Sequence, residues 1–211
     1  MKRMSALWRL AAFSFGMLVL SGPLSAQSVI EEWATVQPPP PPPLSKVTVD
    51  PRTTALLVLD IAKQTCNAEQ RPRCIAMLPQ VNTLLAMARA KGLFVIYTLG
   101  AASSPADILP EVATLGGEPI VTSGPDKFVG TALEQILKDK GIKTVIAIGA
   151  AAHGAVLHTA AGSAFRGFKV IVPIDAMASE NLYAEQYTTW HLVNAPRLAP
   201  MITLTKIAMI D

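Results

Sequence analysis

The stretch TVIAIGAAAHGAVLHTAAGSAFRG, from Thr144 to Gly167, constrains the fold more than any other. Thr144 to Ile148 is a β-branched run of the kind that forms a strand buried on both faces. Gly149 breaks it. From His153 the pattern turns helical, with Val156, Leu157, Ala160, Ala161 and Ala164 spaced along one helix face, and Gly167 is its stop. The first turn of such a helix has unpaired N–H groups that favour negative charge. An ordinary strand-to-helix joint has the same outline. Four small residues, Gly149 to Ala152, mark this one as a candidate site, because bulk there would block a ligand.

The same alternation runs through the chain. Thr54 to Leu59 reads as an apolar strand ending at Asp60, and Pro79 to Lys91 as an amphipathic helix with Val81, Leu84, Leu85 and Ala88 on one face. Leu93 to Leu99 and Pro119 to Thr122 read as strands, separated by a loop. Thr131 to Lys140 reads as a helix, Lys169 to Ile174 as a strand, and Ile202 to Ile207 as the last strand. A further helix opens after Ser179, the expected N-cap, and ends before Pro196. This pattern predicts an α/β fold of three layers, helices on both faces of a mostly parallel six-stranded sheet. Ligands in such sheets bind at the carboxyl ends of the strands, which puts Asp60 and the 149–155 turn on one rim.

Residues 1–26 read as a secretory signal: Lys2 and Arg3, an apolar run from Leu10 to Leu20, then Leu24-Ser-Ala26 before Gln27. The run is too short to span a membrane; an uncleaved N-terminal tether is the alternative. Without the signal, 15 basic residues face 15 acidic ones, so the overall net charge of +3 describes the leader. Nothing basic remains to argue for nucleic acid. Residues 27–46 hold six consecutive prolines, Pro38 to Pro43, which form a polyproline II spacer or arm. The globular domain is predicted over 47–211. Cys66 and Cys74 are the only cysteines, and export would place them in an oxidising compartment, which predicts a disulfide between them. A free Cys66 serving as a nucleophile near Asp60 is the alternative.

The segments Gly149-Ala-Ala-Ala-His153-Gly-Ala155-Val-Leu-His-Thr159-Ala160, Ala164-Phe-Arg-Gly167, Lys169-Val-Ile-Val172 and Asp175-Ala-Met-Ala-Ser179 resemble the core of the isochorismatase-like hydrolases, the cysteine hydrolase superfamily. The likeness runs from about Thr54 to the C-terminus. In most of that family the helix opens with a nucleophilic cysteine, and Ala155 matches that position. A methyl group cannot attack, so the resemblance implies chemistry without a thiol. True isochorismatases also lack this cysteine, and Ala152-His153-Gly154-Ala155 is closer to their variant. The resemblance further implies a cis peptide bond between Ala150 and Ala151.

For the site, the resemblance makes Asp60, at the end of TALLVLD, a general acid or base; on its own it would read as a capping aspartate. Ala62 and Lys63 stand where the family usually has glutamine. The family lysine falls six residues before a phenylalanine, and that position before Phe128 is Thr122. Lys127 is the nearest ammonium, Lys63 the other candidate, and a solvated lysine fits either. The expected catalytic positions are thus Asp60, Lys127 and Ala155, with Ala151, Ala152, His153 and Gly154 binding substrate. His158 and His191 read as structural. No metal and no cofactor is expected, because no cluster has ligand spacing.

Two functions remain open on these residues. One is an exported, periplasmic or secreted, hydrolase of a small organic acid or amide-like molecule. The other is a ligand-binding or structural protein that has lost the catalytic cysteine. The expected partner is a small molecule, with no nucleic acid, no membrane after signal cleavage, and a homo-oligomer left open.

Overall fold

The computed structural model describes residues 28–211. The signal expected over 1–26 lies outside the described residues. The chain divides into a unit ending at Pro38 and a compact unit from Pro39 to Asp211. In the first, Trp33–Thr35 makes a single helical turn, and Val29, Ile30, Trp33 and Val36 are exposed. The second includes part of the proline run. There the Ser45 N–H donates to Leu204 O, and the Thr205 hydroxyl donates to Ser45 O, fixing residues just after the prolines to the domain.

Seven strands make one sheet in which every strand pair is parallel: β1 (Thr54–Leu59), β2 (Phe94–Leu99), β3 (Ile120–Thr122), β4 (Thr144–Ala150), β5 (Lys169–Pro173), β6 (Met177–Ala178) and β7 (Ile202–Thr205). The order is β3-β2-β1-β4-β5-β7, with β6 paired to β4. All six residues of β1 are buried, as a strand covered on both faces requires. One core lies beneath α2 (Leu133–Asp139), α3 (Leu157–Phe165) and α4 (Leu182–Asn194). The other lies beneath α1 (Pro72–Lys91) and contains Leu78, Val81, Leu84, Leu85 and Ala88.

The fold class is the expected one, but four details differ. The sheet has a seventh strand: β5 pairs with β4 only up to Ile146, and Met177–Ala178 then takes its place beside Gly149–Ala150. Two residues are too few to show any periodicity in a sequence. The first helix starts at Pro72, seven residues before the predicted Pro79. The N1 preference of proline applies to Pro72, and Cys74, Met77 and Leu78 on the added turns face the core. The helix expected from His153 opens as a wide turn, Ala152–Val156, distorted at Gly154 (φ −106°, ψ −105°), before α3 begins. Asn181 caps α4, its side chain accepting from the Ala184 N–H at 2.9 Å. Ser179 does not cap it; its own N–H is held by Glu185.

Candidate functional site

The site begins where β1 and β4 end side by side. Leu59 pairs with Gly149, and a side chain on Gly149 (φ 131°) would put its Cβ 1.9 Å from the Leu59 carbonyl oxygen. Only glycine lets the two strand ends approach so closely. One residue on, Asp60 takes a left-handed backbone (φ 53°), sparsely populated outside glycine and tolerated best by Asp and Asn. Its N–H donates to Thr98 O, and Thr65 Oγ1 donates to its carbonyl. This conformation turns the carboxylate inward.

There it meets Lys127. The ammonium lies 2.7 Å from Asp60 Oδ2, and the Thr98 hydroxyl donates to Oδ1 at 2.7 Å. Lys127 also donates to Leu99 O at 3.2 Å and Ser123 O at 3.1 Å. Its three N–H bonds therefore have three acceptors, as a fully buried ammonium needs. The strand ends after β1, β2 and β3 build this cage, and α3 presses the Lys127 loop into it. Thr159 accepts from the Lys127 N–H at 3.3 Å and donates to Pro125 O at 3.2 Å. Gly162 leaves room for Asp126, whose Oδ1 would lie 2.8 Å from any Cβ there. A segment at 103–109 packs against the residues that follow Asp60: Ala62 bridges to Ile108, and the Lys63 N–H donates to Asp107 O. The Lys63 ammonium points away, to Ala106 O at 3.3 Å. Of the two candidate lysines, only Lys127 meets Asp60.

The small-residue turn forms the second wall. The Ala150–Ala151 peptide bond is cis. Ala152 is fully buried, Ala155 nearly so, and Ala151, His153 and Gly154 are half-buried. The Ala151 carbonyl accepts from Gly154 and Val156 N–H groups, which closes the turn. β6 then carries Ser179 and Glu180 to the edge of this turn. His153 Nδ1 lies 2.7 Å from Ser179 Oγ, and Nε2 lies 3.4 Å from Glu180 Oε1. Ser179 Oγ donates to Glu180 Oε2 at 3.2 Å, and Arg71 Nε lies 3.4 Å from the same oxygen. Glu180's carboxyl is held below the usual range, first by a hydrogen bond from its own backbone N–H, then by His153, Ser179 and Arg71, against the opposing effect of burial.

Arg71 reaches this edge because Cys66 and Cys74 form a disulfide that closes its loop. Both sulfurs are taken up in that bond, so neither is a free nucleophile. Within the same loop Arg73 pairs with Glu185 of α4 at 2.7 and 2.5 Å. Thr98, Arg71, Ser179 and Glu180 are not among the expected site residues. Thr98 has a visible signal, a polar residue within the apolar FVIYTL strand. Ser179 ends the segment Asp175 to Ser179 and Glu180 follows it, but β2 to β6 lie between them and Arg71 in the chain, so their meeting leaves no local trace.

Comparison with known proteins agrees with this architecture. A family model for the Isochorismatase domain matches residues 54–206. The secreted isochorismatase effector Isc1 of Verticillium dahliae is 29% identical over 147 residues, covering 64% of this chain and 77% of that protein. An isochorismatase family protein from Desulfovibrio vulgaris superposes with a TM-score of 0.68 at 19% identity, covering 74% of this chain and 95% of its own. N-carbamoylsarcosine amidase from Thermoplasma acidophilum superposes with a TM-score of 0.61 at 22% identity, covering 74% and 96%. With the match running from the start of β1 to just past β7, this chain belongs to the isochorismatase family.

Proposed function

We propose that this protein is an exported hydrolase of a small organic acid or amide-like molecule, in which Asp60 moves the proton and Lys127 supplies fixed positive charge. The observation that carries the reading is the Asp60–Lys127 pair, 2.7 Å apart and shut from bulk water at the sheet's carboxyl rim. Charges this deeply buried cost several kcal/mol each to desolvate, so a buried ion pair is weak evidence for a role in stability. Their presence at a ligand-binding rim supports a chemical role. Ala155, where the resemblance puts the thiol, offers only a methyl group, so water is the nucleophile in this reading. Asp60 carries a proton between water and substrate. The Lys127 ammonium, beside it, offsets negative charge that gathers there.

The test is turnover of a panel of small enol ethers, esters and amides bearing a carboxylate, by the protein and by Asp60→Asn. Positioned acid–base groups contribute about 10²- to 10⁴-fold, so the variant should lose at least a hundredfold. Unchanged turnover in Asp60→Asn would overturn the role. Export is supported by the leader-like start, by the disulfide and by the secreted relative. N-terminal sequencing of the secreted or periplasmic fraction should begin at Gln27.

Ala155 also favours a second reading, a binding protein without turnover. In that case carboxylate ligands bind, and no member of the panel is converted at a rate that Asp60→Asn changes.

A further inference from the structure

Arg71 is half-buried, and its Nε is the one buried side-chain polar atom without a hydrogen bond among the described residues. Its Nη1 donates to Thr65 O at 3.0 Å. Its Nε is buried and makes no hydrogen bond, and no hydrogen bond is formed by Nη2 among the described residues. Nε and Nη2 form the edge of a guanidinium that grips a carboxylate side-on, with two parallel N–H···O bonds. A buried donor left unpaired is costly, and where one persists it needs a reason.

What faces this edge is Glu180, and it fits badly. Its carboxylate lies 3.4 Å from Arg71 Nε, 3.4 Å from His153 Nε2 and 3.2 Å from Ser179 Oγ. Charge-assisted contacts that are fully made run near 2.7–2.9 Å, as the 2.7 Å Arg73–Glu185 bond does two residues along. The Glu180 side chain is also 40% exposed, so it has room to leave. Arg71 Nε, Ser179 Oγ and a protonated His153 thus converge, with Glu180's own backbone N–H, on one loosely held carboxylate. The donors belong to the rim itself. Arg71 is tied through Thr65 to the Asp60 carbonyl, and His153 stands on the small-residue turn.

We infer that Arg71, His153 and Ser179 form the seat for a substrate carboxylate, and that Glu180 is an internal occupant which the substrate displaces. The inference rests on the hydrolase reading and narrows its substrate to a carboxylic acid rather than a neutral amide. Glu180 acts as a gate: it keeps the seat neutralised when empty and leaves it to an anion that fits both N–H bonds of Arg71. The charged groups around His153 are Glu180, with Arg71 behind it, and Glu185 with Arg73 beyond Ser179.

The experiment follows the ¹⁵N-labelled Arg71 Nε–H signal of the full, disulfide-intact chain during titration with benzoate, benzamide and sulfate. Benzoate should shift that signal downfield to saturation, and benzamide should not. Glu180→Gln should tighten benzoate by roughly tenfold, the scale of one displaced charge-assisted contact. Arg71→Lys keeps the charge and spares the loop, yet should weaken benzoate by about the same factor. Benzoate binding is read without turnover and the catalytic role is read by turnover, so a failed catalytic role and a failed seat give different results. Three outcomes would overturn the seat: benzamide binding as well as benzoate, sulfate matching benzoate in every variant, or benzoate affinity indifferent to both Glu180→Gln and Arg71→Lys.

Discussion

Two ion pairs on the same rim are built in opposite ways. Asp60 and Lys127 are dry, 2.7 Å apart, and every N–H of the lysine is used. Arg71 and Glu180 are partly wet, 3.4 Å apart, and one guanidinium edge lacks a hydrogen bond. In low dielectric a charge must be satisfied completely or it will not stay, so the inner pair is rigid by necessity. At the edge, water screens the charges and tolerates imperfect geometry. The difference separates a group that holds its place during chemistry from one that can exchange partners.

The comparison breaks first at Lys127. Lys127→Met leaves Asp60 buried without its counter-ion, and chemical denaturation should show a loss of about 3–5 kcal/mol. Asp60→Leu combined with Lys127→Met should recover most of that stability while abolishing any turnover. If the single variant is as stable as the parent, the inner pair is not the buried, matched pair described above. The loop holding the outer pair comes next. Replacing Cys66 and Cys74 together by serine should cost roughly 2–3 kcal/mol for a closed loop of this size, and should loosen Arg71 without touching Lys127. Amide exchange should then rise in the loop and not at the end of β1.

The smallest effect is expected at Glu180. Its folded carboxyl titrates below the ordinary range, so its contribution is fully present above that range and is lost as pH falls through the lowered folded value. Glu180→Gln should flatten the acid limb of the stability curve slightly: a small loss of stability at neutral pH and above, which vanishes below the lowered folded value. A loss of stability in Glu180→Gln larger than that in Lys127→Met would reverse the ranking of the two. On the alkaline side, burial pushes the Tyr97 hydroxyl up to about 12. Its contribution holds below about 10 and falls as pH rises towards 12. That decline, absent in Tyr97→Phe, gives a reference away from the rim.

Residues close in sequence settle much of this molecule by themselves. The apolar runs TALLVL and TVIAI can only be strands covered on both faces, and their alternation with helical patterns leaves few choices besides a parallel α/β sheet. Two lone cysteines eight residues apart are enough to suggest their bond. Local pattern also has limits. It starts α1 one proline too late, because Pro72 and Pro79 give the same signal and only the burial of Cys74, Met77 and Leu78 separates them. It does not choose between Lys63 and Lys127, since both are flexible cations on loops. The tertiary structure decides that choice: α3 packs the Lys127 loop under the sheet edge, while the 103–109 segment draws Lys63 outward. Likewise, Arg71 and Glu180 stand at opposite ends of the domain sequence, and neither has a neighbour that announces the other. Hydrophobic periodicity is a property of short windows, whereas a charge finds its partner only after the sheet has brought distant strand ends to one rim.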